Sequence, residues 1–182
     1  CKQMLKYNCS AYAEGNGMKS QNYREIKGQS YTRKEYIKGP PQPKITKFTM
    51  GDTTKKFGYQ ASLITQKQVQ VRHNSLEAAR VAVNQFLAGK LGNDYLLRVV
   101  PYPHAVLREN KMIFGAHADR LQDGMRKAFG KPIGTAARVK ANQPVIIVNV
   151  NENGVEAARE ALRRGEAKLP TSCRIVVEKA SD

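Results

Sequence analysis

Two stretches of this 182-residue chain repeat their apolar residues at a helical period, and the other patterned stretches alternate like strands. Leu76, Ala79, Val83, Phe86 and Leu87 line one face of a helix that opens at Asn74 and stops at Gly89 or Gly92. Val155, Ala158, Leu162 and Leu169 line a second, over about 154–168, with Pro170 beyond it. The two open alike, as Asn74-Ser-Leu-Glu-Ala-Ala-Arg80 and Asn153-Gly-Val-Glu-Ala-Ala-Arg159. In each, an Asn is followed three residues on by Glu, the spacing of a capping box. Shared capping chemistry and an ancient duplication of a strand–helix–strand unit both account for the likeness. Strand patterning covers Ile45, Phe48 and Met50 up to Gly51-Asp52, then Tyr59, Ala61, Leu63 and Thr65, then Val69 and Val71. It returns at Tyr95 to Val100, His104 to Leu107 and Cys173 to Val177. Thr135 to Lys140 and Val145 to Val150 flank the turn signal Ala-Asn-Gln-Pro and read as a hairpin. Strands outnumber helices too far for a regular βαβ alternation. The pattern predicts an α+β fold, with two amphipathic helices on a mainly antiparallel, sandwich-like sheet.

Charge narrows the partners. Lys and Arg number 31 against 15 Asp and Glu, a formal net charge of +16. Self-repulsion on that scale is relieved by a polyanion. Between Lys19 and Lys47 eight basic residues face only Glu25 and Glu35, with Tyr23, Tyr31 and Tyr36 between them. Gly39-Pro40-Pro41-Gln42-Pro43 then forbids helix and favours extended chain. Residues 18–43 therefore read as a basic extended arm that orders on RNA and adds little to the folded core. Residues 1–17 have no periodicity and read as an unassigned leader. Residues 44–178 read as a single α+β domain, and 179–182 as a tail. The cysteines are Cys1, Cys9 and Cys173, an odd count without zinc spacing, which points to a reducing compartment rather than a disulfide framework. No apolar run approaches the roughly 20 residues of a membrane span.

Residues 108–134 fit neither period and contain Gly115, Gly124, Gly130 and Gly134. A stretch of this kind inside a domain is usually functional. Its glycines permit close backbone approach, and its arginines supply planar donors for phosphate. Enzyme motifs fail here. Gly124 to Lys131 resembles a phosphate-binding loop, but five residues separate Gly124 from Gly130 and Pro132 follows the lysine. His73, His104 and His117 are far apart, with no Cys or carboxylate at metal-ligand spacing. A basic DNA-binding or chromatin-like protein is the alternative that charge alone leaves open.

Specific blocks of sequence narrow the field. Tyr31-Thr-Arg-Lys-Glu-Tyr36, Arg72-His-Asn-Ser-Leu-Glu-Ala-Ala-Arg80, His104-Ala-Val-Leu-Arg-Glu-Asn-Lys-Met112, Ala118-Asp-Arg-Leu-Gln-Asp-Gly-Met-Arg126 and Phe129-Gly-Lys-Pro-Ile-Gly-Thr-Ala-Ala-Arg138 stand in this order. Together they resemble the archaeal form of large-subunit ribosomal protein ten-e, the counterpart of bacterial large-subunit protein sixteen. The resemblance runs from about Tyr23 to Val177. It implies a non-enzymatic, cytoplasmic constituent of the large ribosomal subunit. It also implies binding to large-subunit rRNA beside the aminoacyl- and peptidyl-tRNA sites, with neighbouring ribosomal proteins as further partners. No cofactor, metal, membrane or obligate homo-oligomer is expected.

Read with the charge pattern, the resemblance implies rRNA contact by Arg24, Lys27, Tyr31, Arg33 and Lys34 in the arm. In the domain it implies contact by Arg72, His73, Arg98, His104, Arg108, Arg126, Lys127, Lys131 and Arg138. The family's long internal loop, which reaches toward peptidyl-tRNA and in eukaryotic relatives takes part in late subunit maturation, maps onto about Lys111 to Gln122. Its tRNA-proximal residues are then Lys111, Met112, His117, Asp119, Arg120 and Gln122. His117 stands where the family commonly carries Gly. The segment before Tyr23-Arg24, Ser20-Gln21-Asn22, also departs from the family's opening.

Overall fold

A computed structural model of the chain describes residues 20–110 and 124–179. The predicted loop from Lys111 to Gln122 and the leader lie outside those residues.

Eight strands form among the described residues: β1 (Thr49–Gly51), β2 (Tyr59–Thr65), β3 (Val69–Arg72), β4 (Tyr95–Val99), β5 (Ala105–Glu109), β6 (Lys131–Val139), β7 (Pro144–Val150) and β8 (Cys173–Lys179). Two helices, α1 (His73–Leu91) and α2 (Val155–Glu166), accompany them. The strands divide into a five-stranded sheet, ordered β1-β4-β7-β2-β8, and a three-stranded sheet, ordered β3-β6-β5. Every pairing is antiparallel. The α+β class with helices packed on antiparallel sheets is therefore as the sequence predicts.

The inward residues of the larger sheet are those that alternation selects. Ala61 and Leu63 on β2, Leu97 on β4, and Ile146, Val148 and Val150 on β7 are fully buried. They form one core with Leu76, Ala79, Val83 and Leu87 of α1 and with Ala158, Ala161 and Leu162 of α2. Gly165 lets the helices close on each other. A Cβ there would stand 2.6 Å from Val83 Cγ2, a branched side chain with no room to retreat.

The expected capping boxes do not form. α1 begins at His73, one residue before the predicted Asn74, and neither helix has a side-chain cap at its N-terminus. Glu77 turns outward, where Arg80 Nε donates to its Oε2 at 2.8 Å. The shared Ala-Ala of the two openings instead places Ala79 and Ala158 in the core. α1 also runs through Gly89 and ends at Gly92, whose φ is 61°.

The predicted β6–β7 hairpin is corrected as well. β6 pairs with β3 and β5, whereas β7 pairs with β2 and β4, so the consecutive strands lie in different sheets. β2 and β3 cross between the sheets at the same place. Thr65, fully buried, donates through Oγ1 to the Lys140 carbonyl at 2.9 Å, and the Asn142 N–H donates to the Thr65 carbonyl at 2.9 Å. Asn142, at φ 61°, supplies the irregular backbone. The two chains bend together, and their antiparallel ladder resumes on the far side. The strand predicted from Thr135 in fact begins at Lys131, so the end of the 108–134 stretch is β6.

The arm is also not a bystander to the fold. Among its described residues it makes single 3-10 turns at Ser20–Tyr23 and Lys34–Tyr36, and Ile37 is buried. It runs along both edges of the three-stranded sheet. The Gln70 N–H of β3 donates to the Arg24 carbonyl at 2.8 Å, and the Val106 N–H of β5 donates to the Tyr31 carbonyl at 2.8 Å. Edge strands expose such unpaired donors, and the arm satisfies them. Charge and proline content marked the segment as extended, but they carry no record of which sheet edge it meets.

Candidate nucleic-acid interface

The three-stranded sheet and its arm gather most of the predicted contact residues. At the β3 edge, Gln70 is the link between them. Its backbone N–H and side-chain Nε2 donate to the carbonyls of Arg24 and Tyr23, while its Oε1 accepts from Arg138 Nε at 3.3 Å. Arg138, on β6, extends across to the arm and donates to the carbonyls of Gly28 at 2.8 Å and Gln29 at 3.1 Å. Its guanidinium therefore fixes the arm's path. Arg24 and Lys27 project from that path into solvent, with Lys27 3.3 Å from Glu25 in an exposed pair.

At the opposite edge Arg108, on β5, plays the matching part. It donates to the Phe129 carbonyl at 3.1 Å, to the Gly130 carbonyl and to the Tyr31 hydroxyl at 3.3 Å. Its charge lies over the Phe129 ring, 3.8 Å from the centroid, and over Tyr31 at 5.4 Å. The two rings meet edge to face at 5.9 Å. Gly130 makes this turn possible: its φ is +71°, and a Cβ would stand 2.5 Å from the Glu109 backbone. Tyr23 closes the same edge by donating its hydroxyl to the Arg108 carbonyl at 3.1 Å. Burial, then the Glu109 carboxylate, raises the Tyr23 pKa, so the phenol keeps its proton.

A second cluster lies where the arm meets β1 and the turn before β5. Phe48 stacks on Tyr102 with centroids 5.3 Å apart, and the tilted His104 ring lies 4.6 Å from Tyr102. Lys34 Nζ is 5.9 Å from the Tyr102 ring. His73, first residue of α1, accepts the Lys44 N–H at Nδ1, 2.9 Å away. Burial, then the positive charges of Lys44 and Arg72, lowers its pKa, which keeps the ring neutral with its proton on Nε2. Arg72 is half-buried at the junction of β3 and α1.

The remaining predicted residues are scattered. Arg33, Arg126 and Lys131 are exposed, Lys127 lies in the turn Gly124–Lys127, and Lys131 opens β6 opposite Glu109. Arg98 is apart from all of these, on the outer face of β4 opposite Thr49. The tRNA-proximal set from Lys111 to Gln122 lies outside the described residues. Charge-led reasoning noted Tyr36, 74% exposed, among the arm's cations without giving it a contact, and missed Phe129, 70% exposed, and Tyr102, 40% exposed. Their available signal was local, because Tyr36 and Phe129 sit between cations at no strand or helix period. Among the described residues no cluster of His, Cys, Asp or Glu is placed to hold a metal ion. No helix among them is long and apolar enough to cross a membrane.

Known proteins resemble the chain over most of its length. The chain is 48% identical over 161 residues to the large ribosomal subunit protein uL16 of Methanococcus maripaludis strain S2, covering 88% of this chain and 93% of that one. It is 55% identical over 155 residues to the protein of the same name from Staphylothermus marinus, covering 85% and 89%. With that of Metallosphaera sedula the identity is 51% over 158 residues, covering 85% and 90%. The family described as Ribosomal protein L16p/L10e matches residues 26–176, which take in most of the arm, both helices and every strand but the end of β8. This chain belongs to the ribosomal protein L16p/L10e family.

Proposed function

We propose that the chain is a structural constituent of the large ribosomal subunit in the cytoplasm. It binds large-subunit rRNA through the arm and the three-stranded sheet, beside neighbouring ribosomal proteins. The observation that carries this reading is the match of nearly the whole chain to a ribosomal family, on a molecule with a net charge of +16. Phosphate contact falls to Arg24, Lys27, Arg33, Lys34, Arg126 and Lys131, whose side chains reach solvent. Arg108 and Arg138 act one step back by holding the arm in register, with part of each guanidinium left for phosphate. Residues 18–43 serve as the arm of a single domain over 44–178.

The residues from Lys111 to Gln122 serve tRNA positioning at the aminoacyl- and peptidyl-tRNA sites and subunit maturation. The protein supplies position rather than reaction. The test is filter binding of the full chain to large-subunit rRNA and to duplex DNA of equal length across a salt series. Preference for rRNA is expected, with log affinity falling by roughly 0.7–0.9 per neutralised phosphate per decade of salt. Equal affinity for the duplex would point to a general nucleic-acid binder, and a flat salt response would remove the phosphate contacts altogether.

A further inference from the structure

Beside the Arg108 cluster is an open groove of about 560 Å³, lined by Tyr31, Tyr36, Lys38, Arg108, Phe129 and Lys131 among others. Two large aromatic rings border it almost bare, Tyr36 at 74% and Phe129 at 70% exposure. Exposed aromatic surface of this kind, held in a fixed place, marks an interaction site. The place is fixed here because Arg108 grips the Phe129 and Gly130 carbonyls and lies against the ring. Tyr31, the other wall, is tied to β5 through its carbonyl. Lys38 and Lys131, both exposed, flank the rings with positive charge.

The Phe48–Tyr102–His104 stack differs in kind. Tyr102 there already packs against two rings of the protein and is only 40% exposed, well below Tyr36 and Phe129.

Resting on the rRNA-binding reading above, we propose that this groove receives an unpaired, unstacked nucleotide. Its base lies against Phe129 and Tyr36, and its flanking phosphates meet Lys38 and Lys131. Bases inside a duplex have no free face to offer, whereas loop and bulge bases do, and aromatic side chains accept them without regard to sequence. The groove volume falls within the range of about 300–1,000 Å³ common to small-ligand sites. A phosphate alone would need the lysines but not the rings, so the rings argue for a base.

The experiment uses the full chain and two RNA probes matched in phosphate number, a blunt duplex and a hairpin with a single-stranded loop carrying one fluorescent aminopurine. Stacking should quench the aminopurine, and the hairpin should bind more tightly than the duplex. Tyr36→Ala and Phe129→Ala should each abolish the quench and weaken hairpin binding by roughly 5- to 150-fold, the scale of one stacked base. Duplex binding and the salt dependence should stay as in the parent protein. Tyr36→Phe should retain the quench. Tyr36→Ala gives a reading independent of Arg108, which Phe129→Ala could disturb. Hairpin binding that survives both alanine variants, with quenching intact, would overturn the groove while leaving rRNA binding in place. Failure of the parent protein to bind either RNA would instead overturn the rRNA reading itself.

Discussion

His73 enters the interface as a hydrogen-bond acceptor, and that fixes its charge. Its Nδ1 takes the Lys44 N–H at 2.9 Å, and burial with two neighbouring cations lowers its pKa. The folded state therefore binds this proton less readily than the unfolded chain does. Stability from this site is present above the ordinary histidine pKa of about 6.5 and is lost as pH falls below it. The melting temperature should drop between about pH 7.5 and pH 5.5, and His73→Gln should flatten that drop. Melting curves at the two pH values check it, and an equal drop in the variant would assign the effect elsewhere. The same reasoning removes His73 from the count of phosphate-neutralising charges, since at neutral pH it can only offer Nε2–H. Sequence alone identified His73 and Arg138 as polar groups at an interface. It could not assign their roles, because the partners are backbone groups of Lys44 and Gly28, 29 and 110 positions away.

At the level of elements, alternation and helical period were enough to find the strands and both helices, because burial imposes those periods on the side chains directly. Caps and pairings were less legible. An Asn with a Glu three residues on is compatible with a capping box, but Arg80 competes for Glu77 and wins by offering two charged donors. A turn signal such as Ala-Asn-Gln-Pro specifies irregular backbone, and the same irregularity serves a bend between sheets as well as a hairpin. The α1–α2 contact was likewise invisible as a period, since it depends on the absence of a side chain at Gly165. Gly165→Ala should destabilise the protein by roughly 1–3 kcal/mol, less about 1 kcal/mol of gained helix propensity. Chemical denaturation of Gly165→Ala, Val83→Ala and the double variant would measure the pair. The double variant should be more stable than the sum of the single losses predicts, because removing Val83 Cγ2 makes room for the new methyl. Strict additivity would mean that the helices are not in register through these residues.

Across the whole molecule, the arm and the three-stranded sheet act as one unit. Removing residues 1–43 takes the acceptors from the Gln70 and Val106 N–H groups and uncovers the site that buries Ile37. That deletion should cost roughly 2–5 kcal/mol in stability, summing lost hydrogen bonds and one buried aliphatic side chain. A melting temperature equal to that of the full chain would show that the arm is dispensable to the fold. The order of the strands has a further consequence, in time rather than in space. β2 and β4 meet only across β7, and β3 and β5 meet only across β6, so the first strands made in each sheet lack their shared neighbour until residues 131–150 exist. During synthesis, then, a strongly basic chain with five strands already made must wait for the two that unite them. Long-range pairing of this kind is slow and leaves strand edges exposed meanwhile. The newborn protein passes through an interval in which it most needs an escort, and that interval closes when β6 and β7 emerge as the shared centre of both sheets.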